Sequence, residues 1–252
     1  MSGHSKWSTI KRKKGANDAK RGKLFTRLGR EITVAAREGG GNIEANFALR
    51  LAVERARGAN MPKENIERAI KRGTGEEKGG TEIEDILYEA YGPSGIAMLI
   101  QVMTDNRNRT LAEIKHVLSR QGGSMAEPGS VSWQFEQKGY LSLPAEGLDF
   151  DEVFMLAADA GADDVTLEDG YIEIVTPRDG LQAMQDAVRK AGKPIEDAKL
   201  EWVAKTPIEL DADAGTKVMA LIEALEDLDD TQAVYTNLHM TDELMAALEV
   251  AG

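Results

Sequence analysis

Apolar residues recur at helical spacing through the first eighty residues, and this pattern predicts three helices. The first covers about residues 17–38, the second covers about residues 43–57, and the third begins near Pro62, a residue suited to a first helical turn. Three short helices that each carry one apolar face make a small bundle. The packed face of the first helix is predicted to consist of Leu24, Leu28, Ile32 and Ala35.

The pattern changes from helices to strands after residue 81. Residues 84–91 and 96–103 read as strands joined by a Gly-Pro-Ser-Gly turn. The second strand is almost entirely apolar, which is typical of a central strand covered on both faces. Thr110 and Glu113 match a capping box at the start of a helix, and a further strand is predicted near residues 131–135.

From Gly139 onward, six elements follow in the order β-α-β-β-α-β, which is the ferredoxin-like order. An Asp-Gly pair at residues 169–170 joins the two middle strands and is a strong hairpin signal. The predicted strands are residues 140–143, 165–168, 171–175 and 199–203, and the predicted helices are residues 151–160 and 178–191.

A strand near Ile208, a helix over about residues 214–228 and a strand over residues 233–235 complete the pattern. Their remaining candidate partners are the strands within residues 84–103, so one α/β domain is predicted to combine two separate parts of the chain. The predicted fold class is α+β, with an N-terminal three-helix domain followed by two ferredoxin-like α/β domains, the last inserted in the second. The predicted domains are residues 1–80, residues 81–137 together with 206–252, and residues 138–205.

Charge is distributed very unevenly along the chain. The net charge is −12, yet residues 1–30 contain ten basic residues and one acidic residue. Residues 1–80 carry +10 and residues 81–252 carry −22. A basic end on an acidic protein is suited to bind a polyanion by that end. The alternative is that the basic end docks on the acidic part of its own chain.

The strongest candidate site is the run from Lys11 to Lys14, because four consecutive cations can neutralise phosphates and release counterions. Trp7 can stack on a base or pack on the helical bundle, and the sequence leaves both open. The predicted nucleic-acid-binding residues of the N-terminal segment are Lys6, Trp7, Lys11, Arg12, Lys13, Lys14, Lys20, Arg21, Lys23 and Arg27.

Arg107 and Arg109 join this predicted set because they are two of only twelve cations in the last 172 residues. Both precede a predicted helix N-terminus, where backbone N–H groups favour anions. Ion pairing with the surrounding acidic residues is the competing interpretation.

No residue pattern indicates catalysis, a metal site or a cofactor. The chain contains no cysteine, and its three histidines are far apart in the sequence. Phosphate-binding-loop and nucleophile-elbow motifs are absent from the sequence. The sequence also lacks a signal-peptide pattern and an apolar run of membrane-spanning length, so we expect a soluble, cytoplasmic protein that is not an enzyme.

Several short motifs occur in order along nearly the whole chain: GHSKW at residues 3–7, DAKRGK at 18–23, NMP at 60–62, YGP at 91–93, TDNRNRT at 104–110 and GSV at 129–131. As a set they resemble the YebC-like family of probable transcriptional regulatory proteins. The resemblance implies an N-terminal helical domain and two α/β domains, with the last inserted in the second.

The resemblance also implies a function in gene expression. Bacterial members of the family are usually described as DNA-binding transcriptional regulators, and the related mitochondrial proteins resemble translational activators that act on messenger RNA and the ribosome. The hypothesis is a nucleic-acid-binding regulator of transcription, with a ribosome-associated translation factor as the alternative and a small-ligand-binding protein as a remote one. The expected partners are DNA or RNA, with the ribosome as one candidate, and a protein bound to the acidic domains.

Overall fold

The computed structural model describes residues 18–76, 82–168 and 170–251, with side chains over residues 21–76, 82–168 and 170–248. The helices in this part of the chain are α1 (Asp18–Gly39), α2 (Phe47–Gly58), α3 (Lys63–Gly73), α4 (Arg107–Arg120), α5 (Phe150–Asp159), α6 (Leu181–Lys190), α7 (Ala212–Glu226) and α8 (Asp242–Ala251). The strands are β1 (Glu84–Tyr91), β2 (Ala97–Thr104), β3 (Ser124–Met125), β4 (Phe135–Pro144), β5 (Asp164–Glu168), β6 (Tyr171–Pro177), β7 (Asp197–Ala204) and β8 (Thr231–Thr236).

The three predicted N-terminal helices are present, and their apolar faces pack largely as the spacing predicts. Leu28 and Ile32 of α1 are buried, but Leu24 is exposed and does not belong to the packed face. Helix α2 begins four residues later than predicted because Asn46 caps it. The Asn46 side chain accepts a hydrogen bond from Leu49 N (3.1 Å) and donates one to Ala35 O of α1 (2.7 Å).

The first sheet has the strand order β3-β1-β2-β8. Strands β1 and β2 form an antiparallel hairpin, with partners running from Glu84 opposite Thr104 to Tyr91 opposite Ala97. Strand β8 pairs antiparallel with the other side of β2, which is therefore central and buried along almost its whole length, as its apolar sequence predicts. The core contains apolar residues from β2, α4, α7 and β8, including Ile100, Ile114, Leu118, Leu221 and Val234.

The second sheet has the strand order β5-β6-β4-β7. Strand β6 pairs antiparallel with both β4 and β5, and helices α5 and α6 follow β4 and β6 along the chain. This connectivity is the ferredoxin-like arrangement predicted from the element order. Its core contains apolar residues from the strands and both helices, including Leu141, Leu143, Val153, Ile172 and Val188.

The chain leaves the first sheet after β3, builds the second sheet, and returns to the first with α7 and β8. N-terminal helices followed by two four-stranded sheets with helices confirm the predicted α+β fold class. The chain also divides into two compact units. One unit contains α1 up to Arg30, residues 82–136 and residues 203–251, and the other contains the rest of the helical region and residues 137–202. The division into three domains stays a prediction.

Two local predictions were wrong or incomplete. The strand expected at residues 131–135 is a short 3-10 helix, Ser132–Gln134, and only Phe135 belongs to a strand, as the first residue of β4. The region near Ile208 forms a single bridge with Leu238 instead of a strand. Helix α8 follows β8 at a place where the sequence analysis predicts no element.

Candidate nucleic-acid interface

Five of the twelve predicted binding residues have described side chains. Lys6, Trp7 and the run Lys11, Arg12, Lys13 and Lys14 lie outside the described residues, and Lys20 lies in α1 with a side chain outside the described part. The remaining five are Arg21, Lys23, Arg27, Arg107 and Arg109, and the structure divides them into two groups.

The first group is bound to the chain's own acidic residues. Lys23 Nζ donates to the backbone oxygen of Asp227 (2.7 Å), and its ammonium group is 3.8 Å from the carboxylate of the same residue. Arg27 donates to the backbone oxygen of Glu226. Arg30, which was not among the predicted site residues, donates to the backbone oxygen of Asp229 (2.6 Å).

The acceptors of Lys23 and Arg27 stand at the C-terminal end of α7, and that location explains their contacts, whereas Asp229 lies three residues beyond the helix. The last carbonyl groups of a helix have no partners within the helix and carry the negative end of its dipole. Helix α7 has no basic residue in its own last turn, so the cations of α1 supply the complementary charge. The basic residues on one face of α1 thus dock on the acidic part of the chain, which is the alternative that the sequence analysis gave.

A buried carboxylate extends this contact. Asp230 Oδ2 accepts hydrogen bonds from Thr104 Oγ1 (2.9 Å), Thr110 Oγ1 (2.6 Å) and Arg109 Nη2 (2.6 Å). Arg30 Nη2 lies 2.8 Å from Oδ1 of the same carboxylate. We call these five residues the Asp230 cluster, and it ties together α1, β2, α4 and the segment between α7 and β8.

The Asp230 cluster keeps its carboxylate ionised. Burial acts to raise the pKa of Asp230, but the hydrogen bonds from Thr110, Arg109 and Thr104 and the charge of Arg30 outweigh it, so the pKa is lowered. The hydrogen bond to Asp230 and the negative charge of Asp230 in turn raise the pKa of Arg109. A charged aspartate with two arginines is therefore the stable form at neutral pH.

The motif TDNRNRT contributes to this cluster in a way that the sequence analysis missed. Helix α4 begins at Arg107 because Asn106 caps it, accepting a hydrogen bond from Arg109 N (3.1 Å). The predicted capping box at Thr110 was therefore wrong, since the Thr110 hydroxyl is committed to Asp230. Arg109 forms an ion pair with Asp230, as the ion-pairing interpretation predicts.

Arg21 and Arg107 form the second group, which faces solvent. Arg107 lies in the first turn of α4 with an exposed side chain, and no hydrogen bond or ion pair joins it to the described parts of the chain. Arg21 is also exposed, with its guanidinium carbon 6.0 Å from the centre of the Phe25 ring. These two side chains remain accessible to a polyanion.

Helix α3 carries further exposed cations that the sequence analysis did not single out as binding residues. Arg68, Lys71 and Arg72 are exposed in its second half. Their spacing of three and four residues places them on one side of the helix, and that spacing was visible in the sequence.

The family motif GSV has a structural explanation within the first unit. The Glu89 carboxylate accepts hydrogen bonds from the backbone N–H groups of Gly129 (2.6 Å), Val131 (2.5 Å) and Ser132 (2.9 Å). Burial acts to raise the pKa of Glu89, but these bonds outweigh it and lower the pKa. The turn is thus an anion-binding loop whose anion is a side chain of the protein itself.

The described residues also bear on two other classes of function. Among residues 18–76, 82–168 and 170–251, no group of three or more histidine, aspartate or glutamate side chains is arranged to hold a metal ion. Within the same ranges, every helix is too short or too polar to cross a bilayer.

The fold and the charge distribution define a class of protein: an α+β protein with basic N-terminal helices joined to two acidic, sheet-containing regions. Residues 5–76 match the family model described as the TACO1/YebC protein N-terminal domain. Residues 83–238 match the model described as the TACO1/YebC second and third domain. The chain belongs to the TACO1/YebC family, which confirms the family inferred from its motifs.

Similar proteins support this assignment along the full length. The chain is 49% identical over 250 residues to a probable transcriptional regulatory protein of Chlorobaculum tepidum, with 99% of each chain covered. It is 51% identical to a protein of the same description from Roseiflexus castenholzii, with 97% of each covered. The crystal structure of a conserved hypothetical protein from Aquifex aeolicus is similar with a TM-score of 0.84 and 43% identity, covering 90% of this chain and 94% of that one.

Proposed function

We propose that this protein is a cytoplasmic, nucleic-acid-binding regulator of gene expression, and that it acts as a DNA-binding transcriptional regulator through its basic N-terminal segment. One observation carries the proposal: residues 1–80 carry +10 while residues 81–252 carry −22. A polyanion is attracted to the first part and repelled by the second, so binding occurs by one end. The relatives' description as probable transcriptional regulatory proteins supports the regulatory role.

The contacts of the five described side chains support two different roles among the predicted binding residues, one structural and one in phosphate binding. Lys23, Arg27 and Arg109 already have partners in the chain and would hold α1 and α4 in place. Arg21 and Arg107 are exposed and would contact phosphates. We assign the same role to Lys6, to the run Lys11–Lys14 and to Lys20, and base stacking to Trp7.

A ribosome-associated translation factor that binds RNA is the second candidate, and one feature of α3 favours it. In a helix-turn-helix protein, the N-terminal residues of the recognition helix contact base edges in the major groove. Helix α3 follows α2 after a short turn, but the first half of α3 exposes Glu64 and Glu67. Carboxylates at these positions oppose entry into a DNA groove, whereas binding to RNA by a basic segment does not require such a helix.

The proposal is tested by the salt dependence of nucleic-acid binding. The variant K11A/R12A/K13A/K14A is compared with K115A/R120A/K190A/K217A, which removes four exposed cations from the acidic part of the chain. We expect the slope of log K against log[salt] to become shallower by roughly 2.8 to 3.6 for the first variant, since each of four phosphate contacts contributes about 0.7 to 0.9. The second variant should keep the wild-type slope, and equal slopes for all three proteins would contradict the proposal.

The choice between DNA and RNA needs a measurement in cells. The protein is crosslinked to nucleic acid in cells, and the attached fragments are sequenced. If the protein regulates transcription, the fragments should be promoter DNA. Reads concentrated in ribosomal or messenger RNA would instead establish the second candidate and exclude transcription as the main activity.

A further inference from the structure

The outward face of α5 carries large apolar side chains in contact with solvent. Phe154 is 44% exposed and Met155 is 60% exposed, while Val153 and Ala157 on the other face are buried in the core of the second sheet. Met155 and Ala158 lie three residues apart, and Phe154 and Ala158 lie four apart, so these three side chains share one side of the helix. This arrangement makes a small apolar surface, whereas a single exposed apolar residue would need no explanation.

Strand β5, which packs against α5, adds a third apolar side chain. Leu167 is 51% exposed, and Val165, two residues earlier, packs against the core formed with α5 and α6. Because side chains alternate along a strand, Leu167 lies on the helix-covered side of the sheet. Strand β5 is the terminal strand in the order β5-β6-β4-β7, so this side chain stands at the open edge of the sheet.

The surroundings of this surface are strongly acidic. Residues 139–177 contain ten aspartate and glutamate residues and no lysine or arginine. Two of these carboxylates have basic partners from outside the segment, since Glu152 pairs with Lys193 and Asp163 pairs with Lys138. Asp151 and Asp159 of α5 are exposed, and neither forms an ion pair within the described ranges.

The order of residues in α5 places charge directly beside the apolar side chains. Asp151 precedes Phe154 by three residues and Met155 by four, so its carboxylate is a surface neighbour of both. The ring of Phe154 also contacts that of Phe150, with 6.1 Å between the ring centres. The Asp149 side chain caps the helix by accepting a hydrogen bond from Glu152 N (3.2 Å). The surface is therefore presented by a capped helix, which lowers the cost of ordering it on binding.

We propose that the surface formed by Asp151, Phe154, Met155, Asp159 and Leu167, called the α5–β5 surface, binds a basic amphipathic helix of a partner protein. Apolar side chains of that helix would cover Phe154, Met155 and Leu167, and its lysines or arginines would pair with Asp151 and Asp159. The acidic rim argues for a basic partner and against nucleic acid or an anionic lipid surface, which it repels. The inference concerns a protein partner and goes beyond the proposed nucleic-acid binding.

The test uses the full-length protein and a defined probe. The probe is a fluorescein-labelled peptide of leucine and lysine, with leucine at positions i, i+3, i+4 and i+7, and the control peptide has glutamate in place of lysine. Binding is followed by fluorescence anisotropy at low and physiological salt. We expect the lysine peptide to bind and the glutamate peptide not to bind.

Matched variants locate the binding on the chain. Asp151→Lys and Asp213→Lys make the same change of charge in the first turn of a helix, in α5 and α7 respectively. The variant F154S/M155S removes the apolar side chains, and Ile208→Ser removes an exposed apolar residue of the other unit. Asp151→Lys and F154S/M155S should each weaken peptide binding by about tenfold, which corresponds to about 1.4 kcal/mol. The other two variants should bind as the wild type does.

Three results would overturn the proposal. Equal effects of Asp151→Lys and Asp213→Lys would mean that the peptide responds only to net charge. A dimer in sedimentation experiments that F154S/M155S converts to a monomer would show that a second copy of the chain covers the surface. Stronger peptide binding after removal of residues 2–16 would show that the chain's own basic segment is the occupant.

Discussion

Asp230 is the residue on which the contact between basic and acidic parts of the first unit depends. It brings two arginines, Arg30 from α1 and Arg109 from α4, to one buried carboxylate, and two threonine hydroxyls complete its shell. Removal of one partner from a buried ion pair is costly because it leaves the other charge uncompensated. Mutation of Asp230 should therefore have a large effect on stability.

Asp230→Asn should lower the free energy of unfolding at pH 7 by about 2 to 4 kcal/mol, because Arg30 and Arg109 lose their shared anion. Asp229→Asn is the matched control, since that carboxylate is exposed, and it should change stability by less than about 0.5 kcal/mol. Urea denaturation followed by circular dichroism measures both. Equal stabilities of the two variants would contradict the assigned role.

The lowered pKa of Asp230 also predicts a dependence on pH. A carboxylate with a lower pKa in the folded state than in the unfolded state stabilises the fold fully above its unfolded pKa, about 3.9. That stabilisation is lost as the pH falls through the folded pKa. The difference in stability between wild type and Asp230→Asn should therefore shrink below about pH 4. A difference that stays constant from pH 7 to pH 3 would show that the charge of Asp230 is not its cause.

Arg107 and Arg109 are two residues apart in one motif but have different surroundings. Arg109→Ala should lower the free energy of unfolding by about 1 to 2 kcal/mol through loss of its bond to Asp230. Arg107→Ala should leave stability within about 0.5 kcal/mol of the wild type, because its side chain faces solvent. Thermal or urea unfolding of the two variants side by side checks this, and a larger loss for Arg107→Ala would be inconsistent with the structure.

At the scale of elements, α1 has a divided role. Lys23, Arg27 and Arg30 lie against the C-terminal end of α7, while Arg21 points to solvent. The hydrogen bonds to carbonyl groups hold these cations in place and complement the dipole of α7. The cations of one helix are therefore unequal in their availability to phosphate groups.

The pair Arg21→Ala and Arg27→Ala tests this difference. Arg27→Ala should lower the free energy of unfolding by about 1 kcal/mol and leave the salt slope of nucleic-acid binding unchanged, because Arg27 already has an acceptor in the chain. Arg21→Ala should preserve stability and make the slope shallower by about 0.7 to 0.9. The reverse pattern, with Arg27 governing the slope, would mean that α1 leaves α7 when nucleic acid binds.

The elements that the sequence predicted correctly are those specified by neighbouring residues. The ferredoxin-like order follows from the apolar period of each segment, and β2 is recognisable as central from its continuous apolar run. Local patterns predicted these helices but not their first residues. Asn46 and Asn106 each cap a helix whose start was misplaced by three or four residues. Such boundaries depend on which of several polar residues finds a backbone N–H group.

The wrong predictions involve partners that are distant in the sequence. Val131, Trp133 and Phe135 alternate with polar residues as in a strand, but Glu89, some forty residues earlier, binds the N–H groups of the turn and bends it. Thr110 resembles a cap, but Asp230, 120 residues later, takes its hydroxyl. The Asp230 cluster could not be predicted from the sequence, because Thr104, Arg109 and Thr110 share one motif but Arg30 and Asp230 lie far from it along the chain and meet it only in the fold.

At the scale of the whole molecule, the separation of charge sets how the protein would meet a polyanion. Residues 81–252 carry −22, so they oppose contact with phosphate along most of the chain. At physiological ionic strength, screening limits this repulsion to about 8 Å, so it acts on surfaces close to the bound polyanion. The acidic part would then remain available for a protein partner.

Binding of nucleic acid by the basic end of the protein can be tested directly. The full-length protein is crosslinked to nucleic acid, and the crosslinked peptides are identified by mass spectrometry. We expect the crosslinks to concentrate in residues 1–30, with Arg107 as the contact outside that segment. We also expect K11A/R12A/K13A/K14A to remove most of them. Crosslinks concentrated in residues 138–205, or unchanged in that variant, would contradict the claim that this protein binds nucleic acid by its basic end.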